Sequence, residues 1–376
     1  MARGTLDLGR IPGRERLMGG PGWGRGRRRE DSLFHPRAPA AWKHVDLVLL
    51  GCAAAISALG ALMILSSTRG TDPDAYDLSY LRRQVLFIGI GVVGMVLVTL
   101  VDYRRLRDFA WLPYLAMVLA LGLVLSPLGT ERRGTQAWFQ LGPFQLQPAE
   151  LAKVGTIFAM AVLLARFEPP LSARRLLLGL ALCAVPVALI LAQPDLGTAL
   201  VFVAIVGVLN SDLLEDYQRD RLTEFLDQDQ GLEAETYNLD QSKAAIASGA
   251  ASGKGLFEGT QTRLGFVPEQ HTDFIFTALG EELGFAGSAT LLALFALMCV
   301  RILRTAQIAH DRLGTLICGG VLSLLVFQVF QNVGMTMGIM PITGITLPFM
   351  SYGGSSVVAS WLAVGLVLNV HMRRFG

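Results

Sequence analysis

Residues 313–340 read LGTLICGGVLSLLVFQVFQNVGMTMGIM, a stretch without a single Asp, Glu, Lys, Arg or Pro. A helix needs about 20 apolar residues to cross the hydrocarbon core of a bilayer, and this run is long enough. Working outward, comparable runs lie at about 45–66, 84–101, 108–127, 148–166, 176–192, 195–209, 274–300 and 346–369. The 195–209 run is short for a span. Backbone groups in lipid need internal hydrogen bonds, so the runs read as helices rather than isolated strands. The expected fold class is all-α: a polytopic transmembrane helical bundle with about nine apolar segments and one large outer loop.

Composition points the same way. The 376 residues are 52% hydrophobic and 16% charged, whereas a soluble domain carries about 25% charged residues. That deficit excludes a soluble globular enzyme, a disordered protein and a nucleic-acid binder. Cys52, Cys183, Cys299 and Cys318 are isolated in apolar stretches and read as small buried hydrophobes. Residues 1–44 hold ten Lys/Arg against four acids and are rich in Gly and Pro. They read as a disordered basic tail on the cytoplasmic side, either touching anionic lipid or passively solvated. The tail runs into a long apolar run with no small-residue cleavage pattern, so it is not a signal peptide. A single membrane domain, 45–374, follows. Its one long polar insertion, about 210–272, has twelve acids against five bases and reads as a loop on the outer face.

Lys/Arg asymmetry sets orientation. Arg104, Arg105 and Arg107 follow the second run; Arg166, Arg174 and Arg175 separate the fourth and fifth. Arg301, Arg304 and Arg312 mark another short loop, and Arg373 and Arg374 close the chain. All are expected to be cytoplasmic. Nine full crossings contradict this, because six return residue 210 to the inside and three more carry the later arginines outside. One crossing must be gained or lost between about 176 and 273. Either 176–209 crosses once, as a helix broken at Gln193-Pro194-Asp195, or a span is absent.

Ionisable residues within spans are costly and are functional candidates by default. Glu150 and Lys153, in QPAELAK, share a helix face at i, i+3 and can pair, for chemistry or for helix packing alone. Asp195, after Pro194, either starts a helix as its cap or acts as a functional group. Lys254 lies in a Gly-rich basic turn that lacks P-loop spacing. His271 and Asp273 reach the mouth of an apolar helix. A carboxylate there has a low-dielectric side that suits a general base, while His271 reads as either an interface residue or a catalytic one. Glu281 and Glu282 follow deeper, with structural pairing as the default. Ser351, in SYGGSS, allows close helix packing or lines a cavity.

Taken in order, QPAELAK, AQPDLGTAL, YQRDRL, QSKAAIASG, GKGLFEGTQ, FVPEQHTDFIF, GEELG and NVGMTMGIMPITGITLPFMSYGGSS resemble the SEDS family of cell-wall polymerases (RodA, FtsW, SpoVE) over roughly residues 43–374. GTQ ahead of FVPEQHTDFIF is more like RodA than FtsW. The resemblance implies a peptidoglycan glycosyltransferase of the bacterial cytoplasmic membrane. It would polymerise lipid II during elongation and cell-shape maintenance, beside a class B penicillin-binding protein and other elongation-machinery membrane proteins. By motif, Asp273 matches the essential acid, and Glu150 and Lys153 match the sensitive QPxExxK pair. Asp273 is expected as the base, with Lys153 countering the leaving pyrophosphate. Lys254, Arg263, His271, Asp195 and Ser351 are substrate-binding candidates. Asp273 and Glu150 are candidate ligands of a divalent cation, Mg or Mn; no organic cofactor is expected. An α-linked donor giving a β-linked product implies one inverting displacement. A lipid II flippase and a catalytically impaired scaffold are the alternative readings.

Two departures from the family pattern stand out. Members have ten spans, and here the residues after 208 run almost directly into Tyr217, as if one span were missing. The usual SGG also becomes Ser248-Gly249-Ala250-Ala251, a change expected to stiffen the loop.

Overall fold

The computed structural model describes residues 44–68, 78–132, 135–142, 144–167, 172–193, 195, 197–198, 233–267 and 269–375. The basic tail, most of 195–209 and 210–232 lie outside the described residues. In chain order the helices are α1 (Leu47–Ser67), α2 (Ser79–Leu100), the short α3 (Tyr103–Leu106) and α4 (Trp111–Val124). They continue as α5 (Pro148–Ala165), α6 (Ala173–Leu191), α7 (Glu233–Ser248), α8 (Thr260–Leu264), α9 (Ile275–Gln307), α10 (Arg312–Thr336) and α11 (Gly354–Met372).

Six of these, α1, α2, α5, α9, α10 and α11, are long and apolar enough to span, and the pair Tyr103–Phe109 and Trp111–Val124, bent by 58°, adds a seventh. At about 1.5 Å per residue, α6 is also long enough to cross most of the core. Leu47, Val85, Val93, Leu97, Leu119 and Leu177 are each more than half exposed. An apolar exterior of that extent is stable in hydrocarbon rather than in water. The protein is a multi-pass helical membrane protein.

One end of the bundle is basic and tied by aspartates with two tasks. Asp46 caps α1, accepting the backbone N–H of Val48 and Leu49 at 3.1 Å, and pairs with Arg301 at 2.7 Å. Asp311 caps α10 through Gly314 N–H at 2.8 Å. It also accepts from the Tyr103 hydroxyl at 2.8 Å and pairs with Arg104 at 3.3 Å. Asp102 caps α3 and sits 3.6 Å from Arg373. Arg312 donates to the Phe167 carbonyl. Each cap satisfies an orphan N–H group while its charge joins a second helix. Arg104, Arg301, Arg312 and Arg373 therefore share one end.

The opposite end gathers the polar insertion. Ser242 of α7 bonds Thr277 of α9 at 2.6 Å and the carbonyl of Thr336, on α10, at 2.8 Å. Asp195, beyond α6, accepts from Gln147 ahead of α5. Asp195 and α7 thus lie at the same end. Among the described residues α6 is the one apolar helix that runs from the basic end to this one between α5 and α9, where nine full spans required two crossings.

Three local differences from the sequence reading have physical causes. A three-stranded antiparallel sheet, β1 (Thr130–Arg132), β2 (Thr135–Leu141) and β3 (Phe144–Leu146), joins α4 to α5. It lies beyond the span ends, where unpaired strand edges can meet water. The apolar run from 346 becomes helical only at Gly354, because Phe349 adopts φ +64° and 346–353 forms a turn. Helix α9 is broken at Gly284 (φ 62°, ψ −160°), where Phe285 and Ala286 donate to the carbonyls of Ala250 and Ala251 at 2.9 and 3.0 Å. A side chain at Gly284 would collide with the backbone of Gly249 and Gly253.

Candidate active site

Gln147 closes the entrance to α5. Its backbone N–H donates to Ser355 Oγ at 2.8 Å, and its Nε2 donates to Asp195 Oδ2 at 3.0 Å. Pro148 fits the first helical turn, where an N–H is not needed. Further in, Lys153 Nζ donates to Glu150 Oε1 at 2.7 Å, with the two side chains 2% and 8% exposed. Among the described residues this is the one hydrogen bond of that ammonium, which has three donors. The pair lines a pocket whose other walls include Gln328, Phe349 and Ser360.

Asp195 accepts from Thr198 N–H at 3.0 Å and Thr198 Oγ1 at 2.8 Å. Burial pushes its carboxyl above the ordinary carboxylate range; the Thr198 donors oppose the shift, Glu150 adds to it and Lys153 opposes it. The residue thus holds Thr198 and Gln147 at once, and Gln147 lies three residues before Glu150.

The connection between α10 and α11 links this group to Asp273. A Cβ on Gly197 would run into the Thr343 carbonyl. Gly344 adopts φ +66°, and a Cβ there would stand 3.4 Å from Asp273 Oδ2. Asn332 Nδ2 donates to the carbonyls of Asp273 at 2.8 Å and Ile345 at 2.7 Å. Residues 343–345 therefore touch the Asp195 segment and the Asp273 turn together. Asp273 itself is half-buried, just ahead of α9.

The other sequence candidates fall in two places. His271 and Ser351 belong to the turns beside Asp273. The His271 ring packs on Tyr80 at 5.1 Å and Tyr352 at 5.7 Å. Ser351 is buried, and its Oγ accepts Leu347 N–H at 2.8 Å. Lys254 belongs to a latch around Glu281, and Arg263 lies on α8 in the same segment. Glu281 is fully buried and pairs with Lys254 Nζ at 2.7 Å. It also accepts from the N–H groups of Gln261 and Thr262, both at 2.9 Å, and from Thr262 Oγ1 at 2.7 Å. Glu282 accepts from Ser66 and from Phe257 N–H. The two glutamates fold the Gly-rich insertion back onto its own helix.

Among the described residues no group of three or more His, Cys, Asp or Glu side chains is gathered to hold a metal ion. Glu150 faces an ammonium rather than a second carboxylate. A divalent cation at Asp273 or Glu150 would draw its remaining oxygen ligands from water or substrate phosphate.

Residue-by-residue reading missed Gln147, Asn332 and Gln270, whose Nε2 donates to the carbonyls of Ser67 and Thr262. A signal existed, since buried amides in apolar surroundings must find partners. Each has at least one partner far away in sequence.

A family model described as Cell cycle protein, FTSW_RODA_SPOVE, matches residues 46–211 and 207–375. The chain belongs to the FtsW, RodA and SpoVE family. Its two matched stretches meet at 207–211, the place where the sequence reading finds a crossing missing. Within the family, the peptidoglycan glycosyltransferase MrdB of Escherichia coli (strain K12) is 34% identical over 368 residues, covering 90% of this chain and 97% of that protein. The crystal structure of the Rod shape determining protein RodA of Thermus thermophilus is 35% identical, with a TM-score of 0.67 over 89% of this chain and 99% of that one. A chain from a peptidoglycan synthase complex, in which polymerization and crosslinking are coordinated, is 33% identical, with a TM-score of 0.73 and coverage of 89% and 99%. The fold brings Gln147, Asp195, Asp273 and Ser355 to one end.

Proposed function

We propose that this family member is a peptidoglycan glycosyltransferase that polymerises lipid II on the outer face of the bacterial cytoplasmic membrane. Its relatives of that name, aligned over nearly their whole length, support the activity. The basic end, which holds the start of α1, faces the cytoplasm by the excess of Lys/Arg in its loops. The N-terminus is then cytoplasmic and Asp273 faces outward.

The observation that supports the reading is that residues 343–345 touch both the Asp273 turn and Gly197, beside Asp195, while Asp195 accepts from Gln147, three residues before Glu150 of the Glu150–Lys153 pair. The 4-hydroxyl of an acceptor sugar attacks the anomeric carbon of the donor. The bond to the lipid pyrophosphate breaks, and its electron pair leaves with the phosphate oxygen. Asp273 takes the hydroxyl proton. Glu150 holds Lys153, whose remaining N–H donors meet negative charge on the leaving group. One displacement inverts the anomeric centre, so no covalent enzyme intermediate forms. A class B penicillin-binding protein is the proposed partner, supported by the likeness to a synthase complex that couples the two activities. RodA-like wording around GTQ supports a role in elongation.

The test is lipid II extension by the purified full-length chain, with glycan products resolved on gels. Wild type forms polymer and Asp273→Asn does not. Full activity in Asp273→Asn removes the base. Transfer of labelled lipid II across vesicles without polymer replaces the enzyme with a transporter. Partner binding by a wild-type chain that never polymerises leaves a scaffold.

A further inference from the structure

Three turns from distant parts of the chain meet beside Asp273. Tyr80 lies in the first turn of α2, His271 stands two residues before Asp273, and Tyr352 lies just ahead of α11. Their ring centroids are 5.1 Å apart for Tyr80 and His271, 5.2 Å for Tyr80 and Tyr352, and 5.7 Å for His271 and Tyr352. The two Tyr80 contacts are edge-to-face, the favoured arrangement of ring quadrupoles. A backbone bond joins the two later turns: Tyr352 N–H donates to the His271 carbonyl at 2.9 Å.

Further contacts anchor this cluster to the bundle. Gln84, one helical turn after Tyr80, is fully buried and donates Nε2 to the Ser351 carbonyl at 3.2 Å. Ser351 Oγ in turn receives Leu347 N–H. Helix α2 therefore holds the SYGG turn, and the SYGG turn holds the turn that carries Asp273. Within that turn Thr272 and Phe274 N–H both reach back to the Glu269 carbonyl, at 3.0 and 3.4 Å. Glu269 itself adopts φ +53°.

We propose that Tyr80 and Tyr352 are positioning residues: with His271 they form a ring clasp that aims the Asp273 carboxylate. The inference rests on Asp273 as the base. A base must be held close to its productive geometry, and a displacement of about 1 Å costs on the order of 100-fold in rate. The clasp supplies that restraint from α2 and the SYGG turn rather than from α9. Neither phenol hydroxyl makes a hydrogen bond among the described residues. The rings carry the contact, so phenylalanine serves in place of tyrosine.

The test compares kcat and KM for lipid II in the purified full-length protein, with Tm in detergent as the measure of folding. Tyr352→Ala and Tyr80→Ala lower kcat by about 10- to 100-fold, with KM within about twofold of wild type and Tm little changed. Tyr352→Phe and Tyr80→Phe retain near wild-type kcat. If Tyr352→Ala does not fold, Tyr352→Leu, which keeps bulk without a ring, takes its place. Wild-type kcat in the alanine variants alongside an inactive Asp273→Asn overturns the clasp and leaves the base standing. An active Asp273→Asn removes both. Phenylalanine variants as impaired as alanine, with raised KM, mean that the hydroxyls touch substrate, which also overturns the clasp.

Discussion

Lys153→Met separates the structural worth of the buried ion pair from its chemistry. The substitution keeps an unbranched side chain and removes the ammonium. Lys153 Nζ is 2.7 Å from Glu150 Oε1, with both side chains almost wholly buried. At an effective dielectric of about 20, the gross attraction at that separation is about 6 kcal/mol. Part of this is offset, because the lysine no longer pays for its own desolvation. What remains is a carboxylate buried without a counter-charge, and breaking one side of such a pair costs about 3–5 kcal/mol. Adding Glu150→Gln removes the orphaned charge. The double variant is expected within about 1 kcal/mol of wild type, since neutral replacement of a whole buried pair is often harmless to stability. Denaturant unfolding of purified protein in detergent measures the first quantity, and lipid II polymerisation the second. Expected are a destabilised single variant, a stable double variant, and no polymer from either. A fully active double variant would refute the catalytic reading of the pair. A single variant as stable as wild type would refute the buried pairing.

Two further substitutions probe the insertion. Glu281→Gln removes the charge facing Lys254 and turns one carboxylate oxygen into a donor, so either Lys254 and the Gln261 N–H or the Thr262 N–H loses its acceptor; at about 1.5–3 kcal/mol per charge-assisted hydrogen bond, it should unlatch residues 252–264. Faster hydrogen exchange there is the expected readout, and unchanged protection contradicts it. Ala250 adopts φ +45°, a conformation that costs an L-residue about 1–2 kcal/mol. Set against the greater chain entropy of glycine, Ala250→Gly should stabilise by about 0.5–1 kcal/mol, read as a higher Tm. A lower Tm would show that Ala250 is unstrained.

The candidate site was partly legible because its ionisable groups stand out against apolar sequence. Glu150, Lys153, Asp195 and Asp273 each interrupt or border an apolar run, where charge must have a reason. Lys254 was equally visible, yet its partner is Glu281. Charge marks a residue as constrained but does not name its partner. The amides and rings were illegible for the opposite reason. Asn332, Gln84, Tyr80 and Tyr352 are unremarkable in composition, and their significance lies wholly in what they touch.

Hydropathy and charge act along the chain, so the sequence alone decided that the protein is a helical membrane bundle. It also decided which loops share an end, since arginines sort by side whatever the packing. Contacts between residues hundreds of positions apart depend on how helices cross and where they break. The tertiary structure therefore decided that an uncharged segment, 343–345, joins the Asp195 and Asp273 turns. It also decided that a glycine break in α9 lets the insertion fold back onto Glu281. The physical reason is that partitioning into lipid is a property of each segment alone, whereas a site requires several segments to agree on one place.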